Sequence, residues 1–202
     1  TLDVEQYWDA DYTEQQNTEE FYLKEIQKLL EDSVKKRLIS DVPLGVFLSG
    51  GLDSSAIVAM MDKVSEESIK TFSVGFESKY SNILPHNELK YARQIAEQFK
   101  TDHEELTCNF DNIRELIPQI TYHLDEPMSD FAAIPTYMIA QLAKKKVTVA
   151  LSGAGGDELF VGYRQSLANH YAHYTRWIPK GIAQLFPKSS KIRKAILTPH
   201  LP

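Results

Sequence analysis

The sequence predicts an α/β fold, a layered parallel sheet with helices on both faces. Short apolar runs alternate with amphipathic stretches along most of the chain, and strand–helix alternation implies parallel strands joined by right-handed crossovers. Two glycine-rich turns, one at Ser49-Gly50-Gly51 and one from Ser152 to Gly156, each lie between a strand-like run and a helix-like one. With 43% apolar residues over 202 positions, the chain can bury the core such layers need.

Residues 1–17 are polar and weakly patterned, as expected of a linker on the surface. A helix is expected from about Thr18, because Leu23, Ile26, Leu30, Val34 and Leu38 recur at spacings of three and four. Asn17 with Glu20 loosely resembles a capping box at its start. Val42 to Leu48 reads as a buried strand. Asp53 to Val64 reads as a helix with Ile57, Met60, Met61 and Val64 on one face. Lys70 to Phe76 is a second strand. Asn87 to Phe99 is a helix that turns Leu89, Ala92, Ile95, Ala96 and Phe99 inward, and His103 to Thr107 is a short strand. Asp111 to Tyr122 is a helix capped by Asp111 or Asn112, with Ile113, Leu116, Ile117 and Ile120 on one face. Ile134 to Lys144 is another, with Pro135 suited to its first turn. Val147 to Leu151 is a strand. From about Gln165 the tail is aromatic and basic, helical until Pro179, and its Tyr171, Tyr174 and Trp177 are suited to packing on a partner domain.

Composition narrows the partners. The 22 basic and 28 acidic residues give a net charge of −6, so no basic excess offers itself to a nucleic-acid backbone. No apolar run approaches the roughly 20 residues of a membrane span. A single cysteine, Cys108, makes no internal disulfide, and a cytoplasmic setting is expected. Thr1 in place of Met, and the closing "LTPHLP", read as the cut ends of a longer protein.

The first turn sits where ligands of open α/β sheets sit, beyond the carboxyl end of a strand. Glycines let the backbone approach a ligand closely, and the helix start that follows favours an anion. "GVFLSGGLDSSAIVAMM" contains neither the lysine-bearing Walker loop nor the dinucleotide pattern, nor a nucleophile elbow. It places Asp53 where phosphate is expected. A carboxylate beside an anion is reconciled through Mg²⁺, which bridges carboxylate and phosphate oxygens; Asp53 as a plain helix cap is the alternative. Ser54 and Ser55 could add hydroxyl donors. The second turn, in "LSGAGGDELFVGY", repeats this grammar. Its Asp157 and Glu158 either add carboxylates around a metal or complement a helix dipole.

"SGGLDSS" resembles the pyrophosphate loop of synthetases that split ATP between the α and β phosphates. The longer "DVPLGVFLSGGLDSSAIVAMM" resembles the synthetase domain of glutamine-dependent asparagine synthetases. That family's second signature, Leu-Ser-Gly-x-Gly-x-Asp-Glu-x-Phe-x-Gly-Tyr, is matched at Leu151, Ser152, Gly153, Gly155, Asp157, Glu158, Phe160, Gly162 and Tyr163. "TFSVGFE" resembles the strand whose end lines the adenine pocket, and "LDEPMSDFAAIPTYMIAQLA" resembles the segment before the second loop. The likeness runs from about Tyr7 to Tyr163.

The resemblance implies an adenine-nucleotide alpha-hydrolase-like, Rossmann-like fold, with residues 1–17 a linker from a missing N-terminal glutaminase domain. Residues 18–202 would be an ATP-pyrophosphatase synthetase domain, truncated at its C-terminus. It implies ATP and Mg²⁺, with adenylation of aspartate and displacement of AMP by ammonia drawn from glutamine; it admits a homodimer. By the same likeness Phe47, Ser49, Gly50, Gly51, Asp53, Ser54, Ser55, Val74, Ser152 and Gly153 hold the nucleotide, and Asp53 and Asp157 the metal. The sequence departs from the family at Ala154, a position usually occupied by an acid in asparagine synthetases, and a methyl group accepts no proton. Glu126 is the candidate to replace it, with Asp125 and Asp130 as further site carboxylates. Ala154 also favours a second reading, amide formation on another acceptor, such as a polysaccharide or a peptide; a nucleotide-binding module without turnover is a third.

Overall fold

The computed structural model describes residues 3–11, 13, 15–77, 88–108, 113–126, 129–130, 132–163, 166 and 178–187. Its elements run in the order α1 (Glu19–Arg37), β1 (Leu44–Phe47), α2 (Leu52–Val64), β2 (Lys70–Phe76), α3 (Leu89–Gln98), β3 (Asp102–Cys108), α4 (Ile113–Leu124), α5 (Ala133–Ala143), β4 (Val149–Leu151) and α6 (Gly156–Phe160), with a 3-10 turn at Lys180–Leu185. The described residues before Thr18 carry no helix or strand. Among the described residues, no helix is long and apolar enough to cross a membrane.

The four strands form one sheet in the order β3-β2-β1-β4, and every pairing is parallel. Strand geometry sends alternate side chains to opposite faces, and the core divides accordingly. Val46 and Leu48 join Val34 of α1, Val58 and Met61 of α2, and Ala92 and Ala96 of α3 in one buried cluster. On the other face, fully buried Phe72 joins Ile139 and Ala143 of α5 and Val147, with Phe47, Val74 and Leu142 packed against them. Burying one such side chain contributes about 1.5–3 kcal/mol, and the outer helix α4 packs on α5. The predicted layered parallel sheet with helices on both faces is therefore observed.

Local expectations are corrected in four places. The cap of α1 is Thr18, whose hydroxyl accepts the Phe21 N–H at 3.3 Å. A capping box from Thr18 would need an acid or amide at Phe21, so the Asn17–Glu20 reading is off by one residue. Leu23 and Ile26, expected inward, are 61% and 40% exposed; the first half of α1 runs past the layer that buries Val34. Ile117, expected to face the core, is 50% exposed, because α4 packs chiefly on α5 and buries only Ile120 of its apolar stripe. The strand expected from Val42 begins at Leu44, although the Pro43 carbonyl already accepts the Thr148 N–H at 3.0 Å. The helix start at Asn87, the caps Asp111 and Asn112, and the aromatic tail with Tyr171, Tyr174 and Trp177 lie outside the described residues.

Candidate active site

The chain leaves β1 toward β2 on one side, and β4 returns to pair with β1 on the other. This switch point opens a crevice at the carboxyl ends of neighbouring strands, where open α/β sheets bind ligands. Val46 pairs with Leu151, so the two glycine loops emerge from adjacent strands nearly level with one another.

Side-chain hydroxyls shape the first loop. Ser54, buried in the first turn of α2, accepts the Ser49 N–H at 3.2 Å, exchanges a hydrogen bond with the Ser49 hydroxyl at 3.0 Å and donates to the Gly51 carbonyl at 3.2 Å. Ser49 Oγ accepts the Gly51 N–H at 3.1 Å, and Ser55 Oγ donates to the Gly51 carbonyl at 2.7 Å. These bonds fold the loop onto the start of α2, whose first amides have no intrahelical acceptor. Ser54 and Ser55, expected as ligand donors, thus hold the loop's own backbone. Gly50 has φ +85°, and a Cβ there would lie 2.5 Å from the Ala92 amide nitrogen of α3.

The second loop packs directly on the first. A Cβ on Gly153 would lie 2.7 Å from the Ser54 nitrogen and 3.1 Å from the Asp53 Cβ; one on Gly156 would lie 2.7 Å from both Asp53 carboxylate oxygens. The glycines therefore make the cradle into which the Asp53 carboxylate fits. Within the loop, Ser152 Oγ accepts the Ala154 N–H at 3.2 Å.

Two cavities flank this contact, and Asp53, Ser152, Gly153 and Ala154 line both. The larger, about 530 Å³, has an apolar end at Phe47, Val74, Pro135 and Ile139 and a polar end at Ser49, Gly51, Asp53 and Ser54. Its volume lies in the range of small-ligand pockets. The smaller, about 270 Å³, lies between α1, α2 and the second loop, and Arg37 lines it.

Of the predicted nucleotide residues, Phe47, Ser49, Gly51, Asp53, Ser54, Val74, Ser152 and Gly153 line the larger cavity, whereas Gly50 and Ser55 shape the loop from behind. Asp157 lines neither cavity; its carboxylate is tucked against Gly162. Neighbouring Glu158 accepts the Tyr163 hydroxyl at 2.6 Å, which holds its carboxyl below the usual range and the Tyr163 phenol above its own. Glu126 is exposed just beyond α4 and lines neither cavity. Asp125 closes α4 with φ +60°, and Asp130 accepts the Ala132 N–H at 2.9 Å at the entry to α5. Sequence reasoning missed the cavity wall from α5, namely Ala132, Pro135, Thr136 and Ile139. Their spacing of three and four was a helix-face signal, but periodicity does not say which neighbour a face meets.

Among the described residues no group of three or more acids, histidines or cysteines is placed to hold a metal ion. Magnesium is commonly held by one or two carboxylates together with substrate phosphates. Asp53, at the polar end of the larger cavity and in the glycine cradle, is the carboxylate so placed.

The asparagine synthase family model matches residues 25–201. A Methanocaldococcus jannaschii protein provisionally named asparagine synthetase [glutamine-hydrolyzing] 2 is 38% identical, covering 88% of this chain and 37% of its own. Asparagine synthetase [glutamine-hydrolyzing] 1 of Bacillus subtilis is 42% identical, covering 78% of this chain and 24% of its own. The chain thus spans 24% to 37% of the length of these relatives. An NH3-dependent NAD synthetase from Campylobacter jejuni, solved with a nitrate ion, superposes with a TM-score of 0.45 at 13% identity over 69% of this chain and 60% of its own, a likeness too distant to carry an argument.

Proposed function

The chain belongs to the asparagine synthase family, and from that membership and the paired loops we propose that it forms an amide by adenylating a carboxylate, most simply that of aspartate, with MgATP. The observation that carries this reading is the contact of the two glycine loops around Asp53 at the switch point.

In this reading adenine occupies the apolar end of the larger cavity, beside Phe47 and Val74, and the phosphates lie along Ser49–Gly51 and the first turn of α2. A carboxylate oxygen of the acceptor attacks the α-phosphorus. The bond from that phosphorus to the bridging oxygen breaks, and its electron pair leaves with pyrophosphate. The lone pair of ammonia then forms the C–N bond, the acyl C–O bond to AMP breaks, and the nitrogen's surplus proton passes to water. Magnesium, when bound, neutralises charge on the phosphate oxygens. Asp53 holds it, and fixed loop amides stabilise the departing anion without reorganising. No lysine is needed, because the terminal phosphoryl group is not transferred. Asp157 joins Asp53 only if its side chain leaves Gly162. The relatives' glutamine-hydrolysing names support a glutaminase partner as the ammonia source.

Ala154 favours a second acceptor class, a polysaccharide or a peptide, since both cavities lack the acid that this family position usually supplies. Incubating the intact protein with MgATP, ammonia and an acid tests the reading: it predicts AMP and pyrophosphate, and ADP with inorganic phosphate would overturn it.

A further inference from the structure

The outer face of α5 carries a groove that the paired-loop site does not use. Pro135, Thr136 and Ile139 line the cavity beside the first loop, whereas Tyr137, Gln141, Lys144 and Lys145 line a separate one of about 790 Å³. Leu106 of β3, with Met138 and Leu142, gives this groove apolar walls. Rings gather at one end. The His123 ring lies 5.6 Å from those of Tyr122 and Tyr137, centroid to centroid, and the Tyr137 hydroxyl donates to Gln119 Oε1 at 3.0 Å. Lys144 and Lys145 stand at the other end. Among the described residues no acid pairs with either, whereas neighbouring Lys146 meets Asp102 and Glu104 at 3.2 and 2.6 Å. Lysines at a helix C-terminus ordinarily answer the helix dipole. Here the Ala140, Leu142 and Ala143 carbonyls already accept N–H groups from Lys144, Lys145, Lys146 and Val147. The roughly half unit of negative charge at such an end is outweighed by two ammonium groups.

We propose that this groove binds a nucleoside monophosphate, its base against Tyr137 and His123 and its phosphate at Lys144 and Lys145. Aromatic side chains stack any base, and the Met138 thioether also suits a ring. Lysines are point charges that serve a phosphate, whereas a planar carboxylate is matched by the fork of an arginine. Tyr137 and Lys144 are seven residues apart along α5, about 10 Å of helix. Ring and anion must therefore be joined by a spacer such as ribose, and a short aryl acid does not reach both ends. The groove's volume lies in the range of small-ligand pockets, and the net charge of −6 argues against a polynucleotide. No residue lines both this groove and either cavity at the paired loops, so the site is additional to the one that splits ATP.

Calorimetric titration of AMP into the intact protein tests this, with α,β-methylene-ATP and magnesium present in excess to fill the paired-loop site. AMP should bind with a Kd below about 1 mM. Ribose 5-phosphate, which lacks the base, and adenosine, which lacks the phosphate, should each bind about tenfold more weakly or worse. The double variant Lys144→Gln/Lys145→Gln should weaken AMP about tenfold and leave the affinity for α,β-methylene-ATP unchanged. Its melting temperature should stay within about 2 °C of wild type, because both side chains are exposed. Tyr137→Leu should weaken AMP and leave ribose 5-phosphate as it was. Absence of AMP binding overturns the proposal. So does AMP binding that the double variant keeps, which would place the nucleotide elsewhere, or ribose 5-phosphate binding as tightly as AMP. Failure of α,β-methylene-ATP to bind counts against the adenylation reading alone; loss of AMP binding in the double variant would still uphold the groove.

Discussion

Gly153→Ala probes the contact that makes one site of two loops. The added Cβ would lie 2.7 Å from the Ser54 nitrogen and 3.0 Å from the Asp53 carbonyl carbon, both main-chain atoms of the first turn of α2. Ordinary contact begins near 3.4 Å, so the second loop must retreat from α2 by about 0.7 Å. Overpacking of this kind costs about 1–3 kcal/mol, which for a domain of this size lowers the melting temperature by about 2–12 °C. A displacement approaching an ångström between groups that act together costs about 10- to 100-fold in rate. Gly155→Ala is the control: no atom lies within 4 Å of its Cβ, and its φ of +94° imposes backbone strain alone, about 1–2 kcal/mol. Calorimetry and pyrophosphate exchange on both variants separate the effects. Similar melting temperatures with exchange lost only in Gly153→Ala are expected. Exchange in Gly153→Ala within twofold of Gly155→Ala would refute the claim that loop contact builds the site.

Three further outcomes are expected. Asp53→Asn should fold normally and lower magnesium-dependent ATP turnover about 100-fold or more, whereas a variant that keeps its magnesium response would show that Asp53 only complements the dipole of α2 from its first turn, where Gly51 is the cap. Val161 closes α6 with φ +58°, a conformation costly for a β-branched side chain, so Val161→Gly should raise the melting temperature by about 1–4 °C; an unchanged or lower value would deny the strain. Arg93 grips Glu105 with bonds of 2.8 and 2.6 Å, and the first of the causes that hold the Glu105 carboxyl below its usual 4.5 is this bond. A depressed folded-state value stabilises above the unfolded value and is lost as pH falls through the folded one. Arg93→Gln should therefore melt lower than wild type at pH 7, with the gap closing below about pH 4.5; a gap unchanged at pH 3 would contradict the assignment.

The parts of the fold legible in the sequence were those that sterics and burial impose locally. β2 ran from Lys70 to Phe76 as read, because Thr71, Phe72, Val74 and Phe76 favour a strand and Phe72, Val74 and Phe76 alternate onto one face. The first loop was legible because glycines flanked by a strand and a helix have few other uses. Part of what escaped depended on partners distant in sequence, and part on local backbone geometry. Leu23 and Ile117 have the spacing of core residues, but spacing cannot say where the neighbouring layer stops. Thr18 and Asn17 are both competent caps, and the backbone turn decides between them. The hydroxyls of Ser54 and Ser55 read as ligand donors, and their bonds to the loop's own N–H and carbonyl groups carried no sequence signal. Arg37 carried no motif; only the packing of α1 on α2 brings it beside the second loop.

In the proposed reaction the paired loops split ATP at its α–β linkage on behalf of a carboxylate. Exchange of labelled pyrophosphate into ATP by the intact protein measures that step without requiring ammonia or amide formation. Label entering ATP only when magnesium and a carboxylic acid are both present, and lost in Asp53→Asn, is the predicted result. No incorporation with any acid, or incorporation independent of acid, would contradict it.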